Sequence, residues 1–164
     1  MVANDEQVML RDAAPGWLRE RAPVAALRAL REKANGKGFD GDLWQDMAAM
    51  GWAGIVVPEG DGGFGFGHVG MGLVAQELGR SLVASPLIDS AVLGAGALVL
   101  GGSAAQKESW LPRLVSGEIH AALALEETAF HAPERTALNA APSGTEWVLS
   151  GIKRPVAEAQ GAGL

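Results

Sequence analysis

The chain of 164 residues has no cysteine, so a disulfide framework, a thiol nucleophile and a thiolate metal site are all excluded. That absence fits a cytoplasmic setting. A basic run is also missing: 13 basic against 19 acidic residues give a net charge of −6, which leaves no electrostatic footprint for nucleic acid or an anionic membrane surface. The opening MVANDEQVML is acidic where a signal peptide carries a basic stretch, and it reads as a frayed start. The most apolar segment, Leu87 to Gly102, is interrupted by Asp89, Gly94 and Gly96 and is too short for a bilayer, which needs about 20 residues. It reads as a buried core helix.

What is present is enough apolar material for a core, with 48% hydrophobic against 20% charged residues. The length allows one domain, or one domain and part of a second. From Trp17 to Lys33 the Arg, Glu, Ala and Leu positions are spaced for an amphipathic helix, with Pro23 beginning or bending a turn. The ANGKG stretch stops it. Asp42 is placed to cap a short helix carrying Leu43, Met47 and Met50 inward, with Gly51 as terminator. Trp52 to Val57 then reads as extended and buried, closed by Pro58 and followed by a loop rich in glycine. Met71, Val74 and Leu78 predict a helix over about His68 to Gly79, another follows Pro86, and Ser103 with Gln106 forms a capping box for a helix that Pro112 limits or kinks.

After this helical bundle the period changes. Ile119, Ala121, Leu123 and Leu125 alternate with Glu118, His120, Ala122 and Ala124, which predicts a strand with one buried face. Pro142, Ser143 and Gly144 mark a turn, Trp147 to Leu149 predict a second strand, and a third could include Val156. The fold class is therefore mainly α: a helical domain over residues 1–116, then the first strands of an antiparallel β domain over 117–164 that is read as truncated.

Gly65, Gly67 and Gly70 spell the GxGxxG dinucleotide fingerprint. A Rossmann cradle needs a strand running straight into the first glycine, and Pro58 to Gly65 intervene, so the loop reads as a tight structural connector. His68, His120 and His131 lack metal-ligand spacing and read as surface residues. Glu126 and Glu127 resemble an acid–base pair, but adjacent strand residues point to opposite faces, so at best one meets a ligand. Trp44, Trp52, Trp110 and Trp147 read as core anchors.

Four stretches resemble the N-terminal half of flavin-dependent acyl-CoA dehydrogenases: LWQDMAAMGWAGIVVPEGDGGFGFG, AQELGRSLVASPL, SAAQKESWLPRLVSGEIHAALALEE and TEWVLSGIK. Their order and spacing cover most of Leu43 to Lys153. The resemblance implies an N-terminal helical domain, a middle β-barrel and a C-terminal helical domain. It also implies oxidation of an acyl-CoA thioester at its α,β bond with FAD, electrons leaving through an electron-transfer flavoprotein, and an oligomeric enzyme. A carboxylate removes the α-proton while the β-hydride passes to flavin N5. That base belongs to the C-terminal domain, and no residue of this chain matches it. The flavin-contacting Thr-Glu-Pro segment aligns with Leu123, Leu125, Glu126 and Glu127, which places cofactor contacts at Leu123, Leu125 and Glu126. Here the segment is written Glu-Glu-Thr, its small continuation is replaced by Phe130, His131, Ala132 and Pro133, and Pro155 and Ala157 stand where a Trp and a Thr are usual. The pattern suits a divergent branch, including non-catalytic subunits whose flavin site is completed or replaced by a partner chain.

Overall fold

Asn4 opens the first helix by a reciprocal capping box, its side chain accepting from the Gln7 amide at 2.8 Å while the Gln7 side chain accepts from the Asn4 amide at 3.1 Å. The computed structural model describes residues 4–33 and 38–164. Helix α1 spans Asp5–Arg21, so residues read as a frayed start are helical from Asp5 onward. Gln7 also donates to the Phe66 carbonyl at 2.8 Å, tying this first turn to the glycine loop. The amphipathic stretch ending at Lys33 is divided: Pro23, with no N–H to give, sits at the N-cap of a separate helix α2, Val24–Glu32. Of the ANGKG stop, residues 34–37 lie outside the described residues.

Helix α3, Gly41–Ala49, is capped by Asp40 rather than Asp42: the Asp40 carboxylate accepts from the Asp42 and Leu43 amides at 2.9 and 3.2 Å. Its buried side is Trp44, Met47 and Ala48, with Met50 left at the surface, and Gly51 ends it in the left-handed region.

The Trp52–Val57 run is buried as its composition predicts, but it is not extended. Amides of Gly54, Ile55 and Val57 bond back to the carbonyls of Gly51, Trp52 and Gly54, making short helical turns. Among the described residues no strand lies beside this segment to satisfy an extended backbone, whereas the glycine loop can fold over it. Phe64, Gly65 and Gly67 donate to the carbonyls of Gly54, Val57 and Ile55. Gly63 makes the approach possible, since a Cβ there would stand 2.1 Å from the Val57 oxygen. The loop is a structural connector, as its position in the sequence predicts.

Helix α4, Gly67–Ser81, buries Met71, Val74 and Leu78 and packs along α1, Gly70 giving close passage beside Leu10. The segment after Pro86 is a π-helical stretch, Ile88–Gly94, that continues into α5, Ala95–Gly101. Only one side of it is buried. Ser90, Ala91, Gly94 and Ala95 face the core, while Leu93 and Leu100 are 39% and 91% exposed, so the expected fully buried helix is corrected to a half-buried one. Helix α6, Ala104–Val115, opens with the predicted Ser103–Gln106 capping box and runs on through Pro112 for another three residues.

Beyond α6 the expected strand over Ile119 to Leu125 does not join a sheet. Its backbone partners are sparse and come from the far end of the chain: Gly163 and Ala122 bond to the His120 and Leu164 carbonyls, and Arg154 donates to the Glu126 carbonyl. A third strand around Val156 is likewise absent. The second predicted strand forms, as β2, Glu146–Ser150, pairing antiparallel with β1, Asn139–Ser143, through a two-residue turn at Gly144 and Thr145. Pro142 and Ser143 therefore belong to a strand rather than to the turn. This hairpin is the only sheet among the described residues, and its strands are exposed throughout.

Candidate functional site

The π-helical turn at Ile88–Gly94 positions the candidate site. A widened turn brings Ser90 to the inner surface, where its Oγ accepts from the Ala121 amide at 3.2 Å. Gly94 lies directly beneath Ala121, and a Cβ there would be 2.2 Å from the Ala121 Cβ. These two contacts fix the start of segment 121–127 against the helix. Past them the segment leaves the core and Leu123 lies over the outer side of α5.

Between Leu123 and α5 runs an apolar groove with two adjoining hollows. One, about 300 Å³, is walled by Val56, Val92, Leu93, Leu100 and Leu123, with His68 at its rim. The other, about 410 Å³, is walled by Leu98, Ala121, Leu123 and Leu164, with Gln106 adding a polar group. Ala97 and Leu123 are common to both. A concave, mainly apolar surface with few polar groups suits an aliphatic ligand. A separate cavity of about 250 Å³ lies under α2, where Arg21 pairs with Asp46 and Asp40 caps α3.

Of the three expected cofactor contacts, Leu123 faces this groove. Leu125 offers its backbone to the protein itself, donating to the Leu123 carbonyl at 3.1 Å and accepting from Lys153 Nζ at 3.0 Å. Glu126 turns toward the following loop, where it meets His131 Nδ1 at 2.5 Å and accepts from the Ala132 amide at 3.3 Å. The hydrogen bond from His131, helped by that amide, holds the Glu126 carboxyl below its ordinary range. Glu127 is held more firmly. It accepts from the Ala137 and Leu138 amides at 2.7 and 2.9 Å and pairs with Lys153 at 2.8 Å, with both side chains largely enclosed.

The Lys153 contact and the two amides lower Glu127 from 4.5 to about 2. A folded value below the unfolded one means that the carboxylate stabilises the loop fully above pH about 4.5 and loses this effect as pH falls toward 2. Amide exchange at Ala137 and Leu138 is therefore expected to stay slow from neutral pH to pH about 4.5 and to accelerate, relative to the intrinsic rate, below it. Flat protection through that window would contradict the assignment.

The remaining sequence candidates separate. His131 is a surface residue, but His120 is 3% exposed, its ring meeting Phe39 edge-on at 5.1 Å and its Nε2 donating to the Glu158 carbonyl at 2.9 Å. The tail around Glu158 covers it, which no local pattern announces. Burial, with Asp89 nearby, raises the Glu158 carboxyl. Trp44 and Trp52 are core anchors, Trp110 is half-buried beneath Arg113, and Trp147 is 66% exposed on the hairpin. Lys153 and Ser90 escaped sequence reasoning because their partners lie 26 and 31 positions away.

Residues 4–118 match the family model for the acyl-CoA dehydrogenase N-terminal domain. Over 158 residues the chain is 32% identical to (2S)-methylsuccinyl-CoA dehydrogenase of Cereibacter sphaeroides, a match covering 92% of this chain and 27% of that protein. The solved Tcur3481-Tcur3483 steroid ACAD G363A variant is 30% identical with a TM-score of 0.86, over 98% of this chain and 44% of that one. The ChsE4-ChsE5 complex from Mycobacterium tuberculosis is 27% identical with a TM-score of 0.83, over 98% and 43%. The chain thus spans less than half the length of these relatives. Its helical body, glycine connector and α6 all fall within the matched domain, and the chain belongs to the acyl-CoA dehydrogenase family.

Proposed function

We propose that the chain is the N-terminal part of an FAD-dependent acyl-CoA dehydrogenase, oxidising the α,β bond of an acyl-CoA thioester within a larger assembly. The observation that carries this reading is the apolar groove between α5 and Leu123, open at the surface and poor in polar groups. There the chain supplies a wall that desolvates an acyl chain. Abstraction of an α-proton needs a free carboxylate beside the thioester. Glu126 and Glu127, the two carboxylates on the segment that borders the groove, are held by His131, Lys153 and backbone amides. The base is therefore supplied from outside residues 1–164, and these residues alone are inactive.

The engaged carboxylates favour a second reading, a non-catalytic subunit that completes or assembles a heteromeric acyl-CoA dehydrogenase. One of the solved relatives is itself a complex of two proteins, ChsE4 and ChsE5. In either reading the assembly is cytoplasmic and oligomeric, and its flavin-bearing part passes electrons to an electron-transfer flavoprotein. The test is acyl-CoA binding and dye-coupled oxidation by the natural full-length protein, alone and with any chain that co-purifies with it. Leu123→Asp puts a charge into the groove and is expected to weaken acyl-CoA binding about tenfold or more. Unchanged binding in a folded variant would remove the groove from the substrate path.

A further inference from the structure

A flavin dinucleotide makes two demands on its site: hydrogen-bond donors for the oxygen and nitrogen edge of the ring, and free amides or cations for the pyrophosphate. The stretch expected to meet them begins at Leu123. Its bonded donors lie mainly from Phe130 onward and are directed inward, while the amides of Glu126 to Ala129 have no partner among the described residues. The Leu125 amide bonds to the Leu123 carbonyl, and the Thr128 hydroxyl accepts from the Phe130 amide at 3.2 Å and donates to the Phe130 carbonyl at 2.7 Å. Arg135 and Thr136 donate their amides to Ala132 and Pro133. The Ala132 amide goes to Glu126, and those of Ala137 and Leu138 go to Glu127.

The cation is engaged as well. Lys153 Nζ bonds both the Leu125 carbonyl and the Glu127 carboxylate. Two consecutive amides and an ammonium group make an anion-binding nest, and here the anion is a side chain of the same chain. Further along, Pro155 has no N–H and Ala157 no polar side-chain atom. A pyrophosphate brought to this segment would meet two carboxylates and find these donors already bonded.

We infer that the nest formed by Ala137, Leu138 and Lys153 does not fit the pyrophosphate of a flavin dinucleotide: Glu127 is its resident anion, and Glu126 closes the loop beside it. The flavin of the assembly is held without these groups. This rests on the proposed acyl-CoA dehydrogenase role only for the place at which a flavin is sought. The nest itself stands on distances within the chain.

The experiment uses the natural full-length protein purified without any co-purifying chain. FAD is titrated in and followed by flavin fluorescence and equilibrium dialysis, with amide exchange read along 123–138 in parallel. The expected result is that exchange at Ala137 and Leu138 is the same with and without FAD, whatever is retained elsewhere on the protein. Saturable binding of one FAD per chain with new protection at these two amides would overturn the inference.

Glu127→Ala is expected to speed exchange at Ala137 and Leu138 about tenfold or more, with inorganic phosphate or acetate restoring part of the protection. Unchanged exchange would show that Glu127 does not fill the nest. Should that variant fail to fold, Lys153→Gln probes the same nest from its other side, with faster exchange at the same two amides expected and no change overturning the assignment. The two readings fail separately. Loss of acyl-CoA oxidation in the reconstituted assembly removes the functional proposal and leaves the nest intact, whereas flavin protection of Ala137 and Leu138 removes the inference and leaves the function.

Discussion

Replacing Trp52 by alanine is expected to lower stability by about 3–5 kcal/mol, the cost of a large cavity in a packed core. Trp52 is completely buried, meets Trp17 edge-on at 5.0 Å and lies in the short turn that the glycine loop covers. Its indole Nε1 is buried without a protein acceptor. Trp52→Phe removes that N–H and keeps much of the apolar volume, so it is expected to cost under about 2 kcal/mol. Urea unfolding of both variants separates the contributions. Equal losses would mean that the indole N–H, rather than the ring volume, is what position 52 needs.

A second large effect is expected at Gly94. An added methyl group would fall 2.2 Å from the Ala121 Cβ, so Gly94→Ala must push segment 121–127 off the helix or bend the π-helical turn. Either response strains the Ser90–Ala121 bond, at an expected total cost of about 1–3 kcal/mol. The displacement also moves Leu123, and with it both hollows of the groove. A shift of Leu123 methyl resonances together with a lowered midpoint is the expected outcome, and a wild-type midpoint would place the contact outside the energetics. Ala121→Gly in the same chain removes the opposing methyl and is expected to recover part of the loss.

The helical half was legible because its signals are local. Met71, Val74 and Leu78 recur at helical spacing, and Ser103 and Gln106 announce a cap three residues apart. Where sequence and structure part, the deciding partner lies elsewhere in the chain. Ile119 to Leu125 alternates like a strand, yet it forms no ladder because its neighbours supply only scattered backbone bonds. Trp52 to Val57 has a β-branched composition, but folding the glycine loop over it satisfies more backbone groups than extension would.

The candidate site shows the same division. Glu126 and Glu127 are chemically notable from their types alone, and the departure from the family's flavin pattern is visible in the residue order. That both carboxylates turn inward depends on His131, Lys153 and three amides, and no periodicity reveals such a closure. Leu123, expected at a flavin contact, lies along an apolar groove. Its position was readable, and its surroundings come from the π-helical turn.

The tail bonds that join Gly163 and Leu164 to His120 and Ala122 impose an order on vectorial synthesis. Helices α1 to α6 carry most of their packing partners within residues 4–118 and can condense on the ribosome once α6 has emerged. The stretch from His120 to Glu126 can then rest on Phe39, Ser90 and Gly94, but its backbone partners Arg154, Gly163 and Leu164 emerge 28 or more residues later. Pulse-labelled exchange during refolding is expected to show Met71 and Val74 protected before Ala122 and Gly163, with the later step slowed by closure of the intervening loop. Completion of the apolar groove, with Leu164 in its wall, is thus the last local event in the maturation of these residues.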